Sequence, residues 1–211
     1  MIEYPSIINS SKAPREKCIA FDKLDGSNIR VKWTQKRSFD CYGSRTQLID
    51  DSHPHLGESI TLFEKDFVKP LDEYFRKEKT YRNEREIITF LEFFGEQSFA
   101  GIHVPNDPKK LVLIDVLIGH KNRWFVNPDN FVKEFGNLVS IPRMVYTGNL
   151  NEEFIQDVRE NKFGLNEGVV CKGLTTSGAY RGKIWMCKIK TQDYMNRLKA
   201  KFESNWEKHW E

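Results

Sequence analysis

The sequence lacks any stretch approaching the roughly 20 consecutive apolar residues that a membrane-spanning helix needs. Its first residues, Met1-Ile2-Glu3-Tyr4-Pro5, supply neither the basic nor the apolar part of a secretion signal. Membrane and secreted settings are therefore not expected, and a cytoplasmic one is. Cysteine is scarce: Cys18, Cys41, Cys171 and Cys187 stand far apart without a CxxC pair, and the five histidines show no HxxxH spacing, which disfavours a structural zinc site. Three of the four cysteines fall in apolar, strand-like stretches, where reduced thiols pack as small hydrophobes. Neither sign of charge dominates. The 33 Lys+Arg and 30 Asp+Glu leave a formal net charge of +3, short of the strongly basic balance of a dedicated nucleic-acid-binding domain. Internal repeats, low-complexity tracts and Pro/Ser-rich linkers are also missing, so one domain is the expected count.

What is present is enough apolar material for a core: 39% hydrophobic and 13% aromatic residues, too much for a disordered polymer. Strand-like runs cover 18–21, 28–33, 39–42, 87–94, 111–118, 139–146, 167–171 and 184–190. Helical spacing predicts one helix over 58–79, where Ile60, Phe63, Phe67, Leu71 and Tyr74 or Phe75 recur, and others over 127–135 and 151–161. This mixed order points to an α+β fold with antiparallel sheets and flanking helices. From Gln192 onward, Tyr194, Leu198, Phe202, Trp206 and Trp210 recur every four residues, predicting a terminal amphipathic helix over 191–211 packed on a body spanning 1–190.

The segment Phe21-Asp22-Lys23-Leu24-Asp25-Gly26-Ser27-Asn28 runs a strand into a lysine, an Asp-Gly turn and a second strand. Asp-Gly between two such runs also reads as an ordinary hairpin turn. Downstream, Glu167-Gly168-Val169-Val170-Cys171-Lys172 and Lys188-Ile189-Lys190 each lie on a predicted strand. Each is weak alone, because composition makes Glu-Gly and K-x-K common, but the ordered set is not. In it the chain resembles the covalent nucleotidyltransferase superfamily of polynucleotide ligases and capping enzymes. Ser44-Arg45, Phe90-Leu91-Glu92-Phe93-Phe94-Gly95 and Leu113-Ile114-Asp115-Val116 match further motifs of that family, and the Ser27-Asn28 continuation resembles RNA ligases of the phage and RNA-editing type.

The resemblance implies a ligase adenylation fold with the nucleotide in a groove between its sheets, and an ATP-dependent RNA ligase activity through a lysyl-AMP intermediate. Lys23 would be the nucleophile, Lys188 and Lys190 would hold the phosphate, Arg45 and Glu92 the ribose, and Glu167 a magnesium or manganese ion or its water. Asp22, Asp25, Gly26, Asn28 and Lys172 would complete the ATP site. AMP would pass to an RNA 5′-phosphate in a nicked or splinted duplex, and a 3′-hydroxyl would then seal the strand.

The residue types suit that chemistry. A lysine of ordinary pKa near 10.4 is protonated at neutral pH and must be pushed toward the amine before it can attack phosphorus. Lys188 and Lys190 share one strand face and would do so together with a bound cation. Magnesium is commonly held by one or two carboxylates, its own waters and substrate phosphates, which suits Glu167. Singly, Arg45, Glu92 and Lys172 also read as surface charges, and Lys23 as an ion pair of its acidic neighbours.

Two departures stand out. The 111–115 strand is aliphatic where family members place an adenine-stacking aromatic. Only a helix's length of chain follows Lys190 where relatives carry an oligonucleotide-binding-fold or helical domain, so a minimal ligase, an isolated catalytic domain or a protein with an accessory partner is expected. Basic runs at Arg76, Lys77, Lys79, Arg82 and Arg85 and at Lys32, Lys36 and Arg37 could track phosphates, with Trp33 or Tyr42 stacking a base, or could be a solvated surface and core aromatics. The alternatives are an ATP-dependent DNA ligase domain, a capping guanylyltransferase and a catalytically silent module that binds nucleic-acid ends.

Overall fold

The computed structural model describes residues 1–95 and 106–202. In chain order its elements are β1 (Ile8–Asn9), β2 (Lys17–Lys23), β3 (Ser27–Thr34), β4 (Ser38–Gly43), β5 (Leu48–Ile49), α1 (Gly57–Asp66) and α2 (Val68–Lys77). There follow β6 (Ile87–Phe94), β7 (Lys110–Ile118), β8 (Trp124–Phe125), α3 (Pro128–Phe135), β9 (Met144–Asn149), α4 (Glu152–Arg159), β10 (Gly168–Leu174), β11 (Ile184–Lys190) and α5 (Gln192–Phe202). The described residues form two compact units, 1–5 with 26–95 and 106–141, and 6–25 with 142–202. Each contains one sheet, and the fold is α+β as the sequence predicts.

The first unit holds the six-stranded sheet, in order β5-β4-β3-β6-β7-β8 and antiparallel throughout. Its main buried side chains come from β3, β6, β7 and the helices α1 to α3, among them Trp33, Phe63, Leu71, Phe75, Phe90 and Phe135. The predicted helix over 58–79 is broken at Phe67. Pro70 explains the break, because proline lacks the N–H and its ring collides with the preceding turn anywhere but the start of a helix. Pro70 therefore sits in the first turn of α2. Asn127 caps α3, its side chain accepting from the Asn130 N–H, with Pro128 in the first turn.

Trp33 is fully buried, its Nε1–H donating to Asp72 Oδ1 at 2.7 Å and its ring edge-on to Phe75 at 5.5 Å. It is a core residue, so the base-stacking role considered for it falls away. Trp33→Ala is expected to cost about 3–5 kcal/mol, since it removes a large buried ring and leaves a cavity. Urea unfolding followed by far-UV dichroism measures this, and a loss below about 1 kcal/mol would contradict the packing described.

The second unit holds the five-stranded sheet, in order β1-β11-β10-β2-β9. Only the β1–β11 pair is parallel. Cys18 and Ala20 of β2, Val169 and Cys171 of β10, and Cys187 and Ile189 of β11 pack with Leu150 and with Phe154, Ile155 and Val158 of α4. The three predicted thiols thus lie in one core as free cysteines, while Cys41 is half-buried. Strand side chains alternate, so the residues between these point to the opposite face. The predicted strand over 139–146 instead forms later, as β9; Pro142 inside that window has no N–H to give a ladder.

Candidate active site

Cross-strand pairing in the second unit places the motif lysines in a block. Lys23 and Lys190 flank Gly168 in one row, Phe21, Val170 and Lys188 form the next, and Ile19, Lys172 and Met186 the third. All lie on the face opposite the cysteine core, as the period of two demands. Gly168 is the pivot. A Cβ added there would stand 2.0 Å from the Ile189 carbonyl oxygen and 2.8 Å from the Lys190 Cα, so the Glu-Gly dipeptide is what lets the last strand approach. Gly168→Ala is expected to force β10 and β11 apart at Lys190 and to cost more than about 2 kcal/mol. Denaturant unfolding checks this, and wild-type stability would refute it.

Glu167, only 2% exposed, directs Oε1 to Lys23 Nζ at 2.7 Å and to Lys190 Nζ at 3.7 Å. Burial raises its carboxyl pKa, and the two ammonium groups oppose the rise. Its second oxygen, Oε2, is buried without a hydrogen-bond partner. Lys190 is lowered to about 8, by burial first and by the positive charge of Lys23 and Lys188, against the pull of Glu167 and Asp25. Taking charges out of water is the dominant cost at this site, as it is at other clefts that tune titratable groups.

The other residues of these segments divide. Lys172 is buried, its ammonium over the Phe21 ring at 5.4 Å, and so is no solvated surface charge. Asp22 points away from the lysine face. Its carboxylate lies 3.5 Å from Arg143, its N–H donates to the Arg143 carbonyl at 2.8 Å, and burial raises its pKa against the Arg143 charge. Glu167, distant in sequence, is thus a carboxylate partner of Lys23. Asp25 is buried and accepts from the Tyr194 hydroxyl at 3.1 Å.

The hairpin reading of Asp25-Gly26 is overturned, because β2 and β3 belong to different sheets and do not pair. The turn carries the chain from one sheet to the other. Gly26 is required for close approach rather than for a left-handed turn: a Cβ there would meet the Phe93 carbonyl oxygen at 2.4 Å.

In the first unit, Asn28 and Glu92 are direct cross-strand partners on β3 and β6. The Asn28 amide donates to the Leu91 carbonyl at 3.4 Å, while its Oδ1 is buried without a hydrogen-bond partner. Arg45 is exposed in the turn closed by the Ser44 N–H to Gln47 carbonyl bond, 2.8 Å. Tyr4, which no motif singles out, packs on Phe90 at 4.9 Å and donates its hydroxyl to Asp115. Burial and the charges of Asp115 and Glu92 raise its phenol pKa. The aliphatic 111–115 strand thus contributes Ile114 beside an aromatic group of Tyr4, Phe90 and Phe125.

The proposed phosphate-tracking runs are partly committed to structure: Arg76 pairs with Asp72 at 2.7 Å, and Lys32 and Arg37 approach Asp40 at 3.7 and 3.3 Å. Among the described residues no cluster of three or more His, Cys, Asp or Glu side chains could hold a metal ion, and no helix is long and apolar enough to cross a membrane.

No protein-family model matches the chain, and no curated protein matches it in sequence. Solved structures do match in shape. A Naegleria gruberi RNA ligase, in a lysine-to-alanine variant with ATP and Mn, superposes with a TM-score of 0.65 at 15% identity, covering 93% of this chain and 58% of that one. The same RNA ligase with PPi gives 0.65 at 15% identity, over 95% and 58%. A protein from Aquifex aeolicus assigned as an ATP-dependent DNA ligase gives 0.59 at 14% identity, over 99% and 57%. The chain thus spans a little under three fifths of the length of the ligases it matches. At such identities the likeness is one of architecture, and it meets the one carried by the ordered motifs: the chain has the nucleotidyltransferase fold of ATP-dependent RNA and DNA ligases.

Proposed function

We propose that the chain catalyses ATP-dependent joining of RNA ends through an adenylylated Lys23. The observation that carries this reading is the trio of Lys23, buried Glu167 and Lys190, ion-paired beside Gly168. Lys23 is a nucleophile only as the amine, and Glu167 Oε1 lies within hydrogen-bond reach to take its proton. Burial, which raises the Glu167 carboxyl pKa, makes that transfer easier than in water. The Lys23 nitrogen then forms a bond to the α-phosphorus of ATP as the α–β phosphoanhydride bond breaks, pyrophosphate leaves, and AMP stays on the lysine as a phosphoramidate. Lys188 and Lys190 face the same side and would neutralise the charge building on the α-phosphate.

Transfer of AMP to an RNA 5′-phosphate regenerates the Lys23 amine. Attack by the 3′-hydroxyl on that activated phosphate then forms the phosphodiester and expels AMP. Glu167 Oε2, a buried carboxylate oxygen without a partner, fits one inner contact or water contact of a divalent ion. Such a Mg2+ or Mn2+ ion would offset phosphate charge. Arg45, Glu92, Asn28 and Lys172 are assigned to nucleotide contacts by the motif resemblance, with Asp25 and Gly26 shaping the loop after Lys23. RNA is preferred over DNA on the Ser27-Asn28 continuation of the nucleophile motif. The likeness to the Aquifex protein supports the DNA-ligase reading as the second choice. Nicked duplexes differing only in whether the 3′-hydroxyl strand is RNA or DNA test the choice: faster sealing of the ribonucleotide end is expected, and sealing of DNA ends alone would overturn it.

A further inference from the structure

We infer that a polar cavity in the second unit, bounded by Arg159, Lys188 and Lys190, is the subsite that receives the 5′-phosphate end of the strand to be joined. This rests on the ligase reading above and adds to it the place where the second substrate is held. The cavity measures about 610 Å3, and every residue around it belongs to the second unit. Sites that enclose a small molecule run from about 300 to 1,000 Å3. A bare phosphate needs far less, so this one has room for a terminal nucleotide as well.

Two walls make the cavity. β1 runs parallel to β11 with Asn9 opposite Lys188, and the chain then leaves the strand in a short 3-10 turn, Ser10–Lys12. That turn brings Ser10 and Ser11 to the rim beside the two lysines. The other wall is α4. Its Phe154, Ile155 and Val158 are buried in the core, so Gln156, Arg159 and Glu160, spaced by three and four residues, share an exposed face. Arg15 ties the walls together: its Nη1 donates to the Ser10 carbonyl at 2.9 Å, and its Nη2 to Glu152 of α4 at 2.5 Å. The Ala13 N–H reaches the same Ser10 carbonyl at 3.2 Å. The rim is thus held in place by the chain itself.

The charge balance names the ligand as an anion. Three cations line the cavity against one carboxylate, Glu160. That carboxylate is already engaged, accepting from the Gln156 amide at 2.7 Å and lying 3.2 Å from Lys162. A guanidinium presents paired N–H donors that match phosphate oxygens, and the serine hydroxyls at the rim add further donors. Position narrows the choice to a strand end. Lys190 also lies 3.7 Å from Glu167, which holds Lys23 at 2.7 Å. A phosphate bound on the cavity side of Lys188 and Lys190 therefore stands beside the row that would carry AMP, where the 5′-phosphate must arrive.

The test uses the full chain without ATP and a short 3′-labelled RNA that ends in either a 5′-phosphate or a 5′-hydroxyl. Anisotropy titrations should show wild type binding the phosphorylated RNA about tenfold more tightly. Arg159→Gln should cut that preference to about twofold or less while leaving the 5′-hydroxyl RNA within about twofold of wild type, and Arg159→Lys should keep most of it. Ser11→Asp, which adds a negative charge at the rim, should abolish the preference independently. Both positions are exposed, so urea midpoints should stay near wild type. No preference in wild type, a preference unchanged in both variants, or equal weakening of the two RNAs overturns the inference. Calorimetric titration with pyrophosphate separates the small anion from the strand end: pyrophosphate binding lost in Arg159→Gln with the RNA preference intact overturns the assignment. A kinetic readout rests on the proposed adenylylation. Arg159→Gln should raise KM for the 5′-phosphorylated strand about tenfold with ATP labelling within about twofold of wild type, and loss of labelling would place ATP itself in the cavity and overturn the inference. If wild type takes no label, the ligase reading fails, while the RNA titrations still decide whether the cavity binds a 5′-phosphate end.

Discussion

Lys23→Ala is expected to abolish covalent labelling by ATP, a loss of at least about a thousandfold, because a methyl group has no lone pair to form the nitrogen–phosphorus bond. The fold should survive. Lys23 ends β2, its side chain is about one fifth exposed, and Glu167 keeps Lys190 at 3.7 Å when Lys23 Nζ is gone. The expected signature is thus a protein that unfolds close to wild type yet takes no label from ATP. Persistent labelling in Lys23→Ala would move the nucleophile elsewhere in the chain.

Glu167→Gln should lower the rate of labelling by about a hundredfold or more, the scale on which a positioned proton acceptor contributes. The amide keeps the size of the carboxyl group but removes its charge. Lys23 and Lys190 would then face each other without the anion lying 2.7 and 3.7 Å from them, and Oε2 would no longer be available to a cation. The two roles separate with metal concentration. If proton acceptance dominates, raising Mn2+ leaves the variant slow at saturation; if cation binding dominates, high Mn2+ restores much of the rate. A rate within about threefold of wild type at low metal would contradict both roles.

How far the sequence reaches is clear from particular residues. The spans 87–94 and 184–190 coincide with β6 and β11, because β-branched and aromatic residues crowd both and no proline interrupts them. The helix expected over 58–79 fails at Phe67 because the apolar spacing runs straight through Pro70, and only the missing N–H stops the helix. Tyr194, Leu198 and Phe202 realise the predicted stripe as far as α5 extends, while Trp206 and Trp210 lie outside the described residues.

The lysines and Glu167 are legible because their types and order form a motif, and pairing across β2, β10 and β11 explains why the motif must contain a glycine. Tyr194, Arg143 and Tyr4 are not legible. Their partners, Asp25, Asp22 and Asp115, are far away in the chain, and nothing in local spacing separates an aromatic that holds a carboxylate from one that fills a core. The Asp25-Gly26 turn misleads for the same reason, since a local signal for a hairpin cannot know that the next strand joins another sheet.

The most direct measurement is peptide mapping of the purified chain after incubation with ATP and Mg2+ or Mn2+. The account requires an acid-labile AMP adduct on the peptide containing Lys23, lost when pyrophosphate is added back and passed on when a 5′-phosphorylated nick is supplied. An adduct on another residue, or none with any nucleotide and either metal, would contradict it.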